Sequence, residues 1–135
     1  MAKLQLIAGS SHPALAAEIA RILKTNLTSV EDKCFANGEI YVRIKEKVRG
    51  NDVFLIQTMG EPVNDQLMET LILIDALKRS SAGRVNLICP HIAYSRQDRK
   101  ATSREPITAK LVANLITKAG ADRLITMDLH ADQIQ

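Results

Sequence analysis

Short apolar runs alternate along this chain with stretches of helical period, and that alternation limits the possible folds more than any other feature. Residues 4–8, 53–58, 85–89 and 124–127 are runs of the length and aliphatic character of buried strands. A chain built strand, helix, strand, helix in this way predicts a parallel sheet covered by helices on its faces. Tryptophan is absent and aromatic residues make up only 3% of the chain, so the core must be built from Leu, Ile, Val and Ala.

The helices are marked by their periods and their ends. Ser11-His12-Pro13 opens the first, with Pro13 suited to the first turn and His12 to the cap. Leu15, Ile19, Ile22 and Leu23 share one of its faces. Gly60 and Pro62 precede the second, whose expected buried stripe is Leu67, Leu71, Ile74 and Leu77. Lys78 and Arg79 fall in its last turn, where cations meet the negative end of the helix dipole. Pro106 opens the third, with Ile107, Leu111 and Leu115 four apart, Val112 and Ile116 beside them, and Ala119-Gly120 at its end.

One segment breaks the alternation. Asn37-Gly38 is a two-residue turn signal, since both residues tolerate positive φ. After it Ile40, Val42 and Ile44 alternate with Tyr41, Arg43 and Lys45, which predicts a half-exposed strand. The segment is expected to form a β-hairpin flap on the α/β core.

Several function classes fall away. The net charge of +3 suits an anionic substrate such as a nucleotide, but no basic block or aromatic-rich motif suggests nucleic acid. No apolar run approaches the ~18 residues of a membrane span, and the first residues do not read as a signal peptide. Cys34 and Cys89 are far apart and follow no paired motif, which favours a reducing, cytoplasmic setting. Neither has an adjacent base that would mark a nucleophile. The glycine-rich phosphate loops of the common nucleotide folds are missing, so any ATP must be held in another way.

In open α/β sheets ligands lie beyond the carboxyl ends of the strands. Here those ends lead into residues 9–11, 57–60, 91–104 and 128–132. In the third loop Arg96, Arg99, Lys100 and Arg104 surround Asp98, and guanidinium groups fork onto phosphate oxygens. From charge alone, a solvated basic loop fits as well. Asp128, His130 and Asp132 alternate and would share one side of an extended segment, a set able to hold a divalent metal. By spacing alone, a polar strand end with a helix cap is the simpler account. Magnesium prefers oxygen, so His130 would act as a neutral ligand or through a bound water. At the hairpin, Phe35 offers a stacking surface for a purine, and Asn37 and Glu39 offer acceptors for its amine. The plain alternative is a hairpin tip.

Six stretches together resemble one family. They are Phe35-Ala36-Asn37-Gly38-Glu39, Val48-Arg49-Gly50-Asn51-Asp52-Val53, Asn64-Asp65-Gln66-Leu67-Met68-Glu69, Tyr94-Ser95-Arg96-Gln97-Asp98-Arg99, Pro106-Ile107-Thr108-Ala109-Lys110, and Met127 through Gln135. In this order and spacing they resemble the N-terminal half of ribose-phosphate pyrophosphokinases. The resemblance implies a phosphoribosyltransferase-like domain spanning residues 1–135, with the family's C-terminal domain absent. It implies diphosphate transfer from Mg-ATP to the 1-hydroxyl of ribose 5-phosphate, giving phosphoribosyl pyrophosphate and AMP. Arg96, Gln97, Asp98, Arg99 and Lys100 then correspond to ATP contacts. Phe35, Asn37, Gly38 and Glu39 correspond to an adenine-recognition hairpin that reaches a neighbouring subunit of a homo-oligomer, a hexamer in the full-length enzyme. Asp128 and His130 correspond to a Mg2+ segment, and Arg49, Ser81, Arg104 and Gln135 to an allosteric phosphate or ADP site. The ribose-5-phosphate loop and the flexible catalytic loop belong to the C-terminal half, so no catalytic residue is expected here and the chain alone is expected not to turn over. The alternative is a regulatory or nucleotide-binding homologue without catalysis.

Overall fold

The computed structural model describes residues 1–128. Four strands, β1 (Leu4–Ala8), β4 (Asp52–Ile56), β5 (Arg84–Ile88) and β6 (Arg123–Ile125), form one sheet in the order β1-β4-β5-β6. Every pairing in it is parallel, with Leu6 opposite Phe54 and Leu55 opposite Leu87. The helices are α1 (Pro13–Ile22), α2 (Val63–Arg79) and α3 (Thr108–Ala119). The remaining strands, β2 (Val30–Cys34) and β3 (Ile40–Ile44), form a separate antiparallel hairpin. The predicted α/β class, its parallel sheet and its flap are all present.

Successive residues of a strand point to opposite faces, so each strand feeds two cores. Ile7, Val53, Leu55, Val85 and Leu87 are fully buried on the face that α2, α3 and the hairpin cover. Leu73, Ile74 and Leu77 of α2 and Val112 and Ile116 of α3 pack onto them. Leu6 and Ile56 point the other way and meet Ala16 and Ala20 of α1. After α1 the chain returns to the far side of β1, where Leu27 bridges Leu6, and only later crosses to β4. The direction of winding therefore reverses between β1 and β4, which makes their carboxyl ends the topological switch point.

Three expectations are corrected. In α1 the buried positions are Ala16 and Ala20, while Ile22 and Leu23 are exposed. Small side chains let the helix lie close on the sheet, so its contact line follows the alanines and not the larger apolar residues. In α3 Ala109, Val112 and Ile116 are buried, and Ile107, Leu111 and Leu115 stay exposed. That helix is apolar on two sides and has one sheet face to lie on. In the hairpin Gly38 alone takes positive φ, at 93°. Gly38 N–H donates to the Phe35 carbonyl at 2.9 Å and Phe35 N–H to the Glu39 carbonyl at 2.7 Å. The loop is thus three residues closing on a left-handed glycine, not a two-residue turn. The alternation after it holds: Ile40, Val42 and Ile44 are half-buried, and Tyr41 and Arg43 are exposed.

Candidate functional site

The sheet strands run parallel, so the turns that follow them gather at one end. At the switch point those turns are sewn together. Ser11 Oγ donates to Gln57 Oε1 at 2.6 Å, and Thr58 N–H donates to Ser11 Oγ at 2.8 Å. Gln57 is fully buried. Gly9 makes this possible, because a Cβ there would lie 2.1 Å from Gln57 Oε1. The crevice between β1 and β4 is consequently filled by the protein's own polar groups.

Space opens instead between the segments that follow β4 and β5. The Pro90 carbonyl accepts from Met127 N–H at 3.2 Å and from Asp128 N–H at 3.1 Å, and His91 and Asp128 pair as an isolated parallel bridge. A cleft of about 640 Å³ lies here, with Val63, Asn64 and Asp65 at the start of α2 on one side and His91, Arg96 and Gln97 on the other. Tyr94 fixes the second wall. Its backbone is left-handed at φ 63°, and its hydroxyl is hydrogen-bonded to Asn64 Oδ1. Gln97 N–H donates to the Tyr94 carbonyl and Ala109 N–H to the Gln97 carbonyl, each at 2.9 Å. Buried Ser95 sits with its Oγ 3.4 Å from His91 Nε2. The loop is therefore tied to α2 and α3 while Arg96 and Gln97 stay exposed to the cleft.

The chemistry of this cleft favours an anion. The Arg96 guanidinium offers a forked donor set, and α2 begins at Pro62 without a side-chain cap, so its first N–H groups stay free, although Asp65 in that turn offsets part of the dipole. Asp98, Arg99 and Lys100 continue the same loop but lie outside the cleft lining. Beyond them the Glu105 carboxyl is held below its ordinary range, chiefly by the Ala101 N–H at 2.9 Å and then by Thr102 at 3.1 Å. Those bonds fold the loop back before α3.

The other expected residues are distributed as follows. Phe35, Asn37, Gly38 and Glu39 form the exposed hairpin tip and do not line the cleft. Phe35 is 48% exposed and meets Tyr41 edge to face at 5.9 Å, with Lys33 Nζ 5.0 Å from the Tyr41 ring centre. Asn37 Oδ1 accepts from Glu39 N–H at 3.1 Å, so the turn already uses one lone pair of the expected acceptor. Arg49 and Ser81 are brought together, since Arg49 bridges Ala82 and the Ser81 carbonyl accepts from Gly50 N–H at 2.9 Å. They lie where the chain enters β4 and β5, at the end of the sheet opposite the cleft. Arg104 belongs to the loop after β5, and no hydrogen bond or ion pair joins it to them among the described residues. His130 and Gln135 lie outside the described residues. Within those residues no group of three His, Cys, Asp or Glu side chains is arranged to hold a metal. No helix among them is long and apolar enough to cross a membrane.

Asn64, Asp65 and Tyr94 line the cleft without having been singled out as site residues. Their signal was positional: the first two follow the carboxyl end of β4, and Tyr94 follows that of β5.

Comparison with known proteins agrees with this fold and gives its family. A family profile described as the N-terminal domain of ribose phosphate pyrophosphokinase matches residues 4–120. The chain is 60% identical to a ribose-phosphate pyrophosphokinase of Clostridium perfringens over 132 residues, 98% of this chain and 41% of the relative. It is 57% identical to one of Bradyrhizobium diazoefficiens, covering 98% of this chain and 42% of the relative. The crystal structure of phosphoribosylpyrophosphate synthetase from Mycobacterium smegmatis superposes with a TM-score of 0.96 at 53% identity, over 98% of this chain and 45% of that one. The chain spans about two-fifths of the length of these curated relatives. A match over this much of its own length places the chain in the ribose-phosphate pyrophosphokinase family, at that enzyme's N-terminal domain.

Proposed function

We propose that this chain supplies the ATP-binding part of a ribose-phosphate diphosphokinase. The full reaction transfers diphosphate to ribose 5-phosphate: its 1-hydroxyl oxygen bonds to the β-phosphorus of ATP and gives up its proton to solvent, the bond from that phosphorus to the α,β-bridging oxygen breaks, and AMP leaves. The observation that carries the reading is the cleft in which Arg96 and Gln97 face the uncapped start of α2, with Asp128 beside His91 at the neighbouring strand end. Such a site acts by holding and neutralising phosphates more than by a protein nucleophile. Asp98, Arg99 and Lys100 extend the positive rim along the same loop.

Mg2+ fits this donor set. The ion commonly binds through one or two carboxylates, substrate phosphates and waters. Asp128 has a fixed backbone, an exposed side chain and no ion pair among the described residues. It would hold the ion with His130, and the ion would offset charge on the transferred diphosphate. Phe35, Asn37 and Glu39 lie apart from their own chain's cleft, which supports base recognition in a neighbouring copy of a homo-oligomer, a hexamer by the resemblance. Arg49 and Ser81, with Arg104 and Gln135, are proposed to take a regulatory phosphate or ADP. Two unlinked thiols support a cytoplasmic setting.

Calorimetric titration with Mg-ATP tests the assignment. We expect saturable binding that weakens roughly 10- to 100-fold in Arg96→Ala, the loss of about 1.5–3 kcal/mol for a charged hydrogen bond. Absence of binding by the folded chain, or equal binding by the variant, would overturn it.

A further inference from the structure

Asp32 is out of place for a hairpin of this kind. It lies on the inner face of β2 opposite Val42, flanked by Val30 and Ile44, and that face packs on α2. Its Oδ2 is buried and has no donor within hydrogen-bond reach. Its neighbour is a second carboxyl, Glu69 of α2, which is 5% exposed. Both Glu69 oxygens already accept bonds from the turn after β1: Ser10 N–H donates to one at 2.6 Å and Ser10 Oγ–H to the other at 2.7 Å.

No cation relieves the pair. Neither carboxyl forms an ion pair among the described residues. On β2, Glu31 and Lys33 point to the outer face and pair with each other at 3.5 Å. Arg43 is on the outer face of β3, and the inner face of β3 carries only Ile40, Val42 and Ile44. On α2, Asp65 is exposed at the cleft, and Gln66, Thr70 and Leu73 are uncharged. On the β1–α1 turn, the His12 ring accepts from Leu15 N–H. Two ionised carboxylates in such a contact would repel, while a proton on one turns the repulsion into a hydrogen bond. Both Ser10 donors already point at Glu69, whereas Asp32 Oδ2 has no partner, which leaves Asp32 as the donor.

We propose that Asp32 and Glu69 share one proton, and that this proton fastens the β2–β3 hairpin to α2 and to the β1–α1 turn, so that the hairpin loosens as the proton is lost. The Asp32 carboxyl is pushed up to about 7, first by burial, then by its bond to Glu69, then by the Glu69 charge. A carboxyl raised in the folded state steadies the fold below its ordinary value, and that contribution is lost as pH rises through the raised one. The hairpin is therefore held in mildly acid solution and freed in mildly alkaline solution. If its tip recognises a base, as proposed above, that recognition inherits the same dependence; the anchorage itself does not rest on that reading.

Carboxyl carbon NMR and amide hydrogen exchange across pH 5.5–8.5, each corrected for intrinsic pH effects, test this without any ligand. We expect the Asp32 carboxyl to titrate near neutrality and protection at Lys33 and Tyr41, whose amides face each other across the ladder, to fall in step with it. In Asp32→Asn, which keeps a donor at every pH, protection should stay level. In Glu69→Gln the Asp32 titration should move back toward the ordinary carboxylate range. An Asp32 that titrates with ordinary carboxyls, hairpin protection that ignores pH, or a pH-dependent loss that persists in Asp32→Asn would each overturn the proposal. The NMR titration of the unaltered chain decides the matter if a variant fails to fold.

Discussion

The Tyr94 hydroxyl bonds the Asn64 side chain across the cleft, from a backbone that is itself left-handed, and so ties the loop after β5 to the first turn of α2. Removing the hydroxyl in Tyr94→Phe deletes one hydrogen bond, about 0.5–1.5 kcal/mol. The expected result is a 2- to 10-fold weaker nucleotide affinity by calorimetry with a melting temperature within a few degrees of the parent, about what such a ΔΔG produces. Unchanged affinity would show that Arg96 is positioned by other contacts.

Gly9→Ala should destabilise the fold. Its new Cβ would meet Gln57 Oε1 at 2.1 Å, and the buried amide could move only by giving up Ser11. Overpacking together with unpaired buried polar atoms costs about 2–4 kcal/mol. Urea unfolding gives the value directly, and a difference under about 0.5 kcal/mol, the scatter of ordinary surface substitutions, would mean that the turn relaxes freely.

The two thiols should behave as opposites. Cys34 is exposed, whereas Cys89 is fully buried and its thiol is pushed up to about 11 by burial, against the weaker opposing pull of a backbone hydrogen bond with His91. At pH 8 a thiol reagent should titrate one group promptly and the other at least about a hundredfold more slowly, since the thiolate is the reacting form. Adding denaturant should release the second group.

Asp122 fixes the approach to β6. Its carboxylate accepts from Val85 N–H at 2.8 Å and from Lys78 Nζ at 3.2 Å. The Val85 bond is the main cause that holds its pKa below the ordinary value, with Lys78 adding to it and burial opposing. A carboxyl lowered in the folded state adds stability above its unfolded value, and that stability is lost as pH falls through the folded one. Asp122→Ala should cost about 1–2 kcal/mol at neutral pH for the unpaired N–H. It should also flatten the acid limb of the stability curve. An acid limb identical to the parent's would show that other carboxylates set it.

Periodicity revealed the sheet and the helices, because strand and helix differ in period over runs this long. It found only part of the buried line of α1 and α3: Leu15, Ile19, Val112 and Ile116 pack inward, but their expected companions do not. Size and hydrophobicity pointed to Ile22, Leu23, Leu111 and Leu115, whereas contact is set by how closely backbones approach, which Ala16, Ala20 and Ala109 allow. Arg96 and Gln97 could be read from charge and from their place after a strand. Asn64 and Tyr94 follow strand ends too, but their contact depends on a backbone turn and on the meeting of two segments thirty residues apart, which no local pattern shows. Asp32 was hidden for the same reason: an acid in an alternating strand reads as an outward residue until the hairpin is docked on Glu69.

The filled crevice between β1 and β4 has an implication for change. Gln57, Ser11 and Gly9 occupy the place where a sheet of this winding most readily admits a guest, so the open cleft lies to one side, between the segments after β4 and β5. The plug at that place is a single amide side chain held by one short hydroxyl. Trimming Gln57 would uncover a second chamber next to the first, a ready starting point for engineering a binding site that the present fold does without.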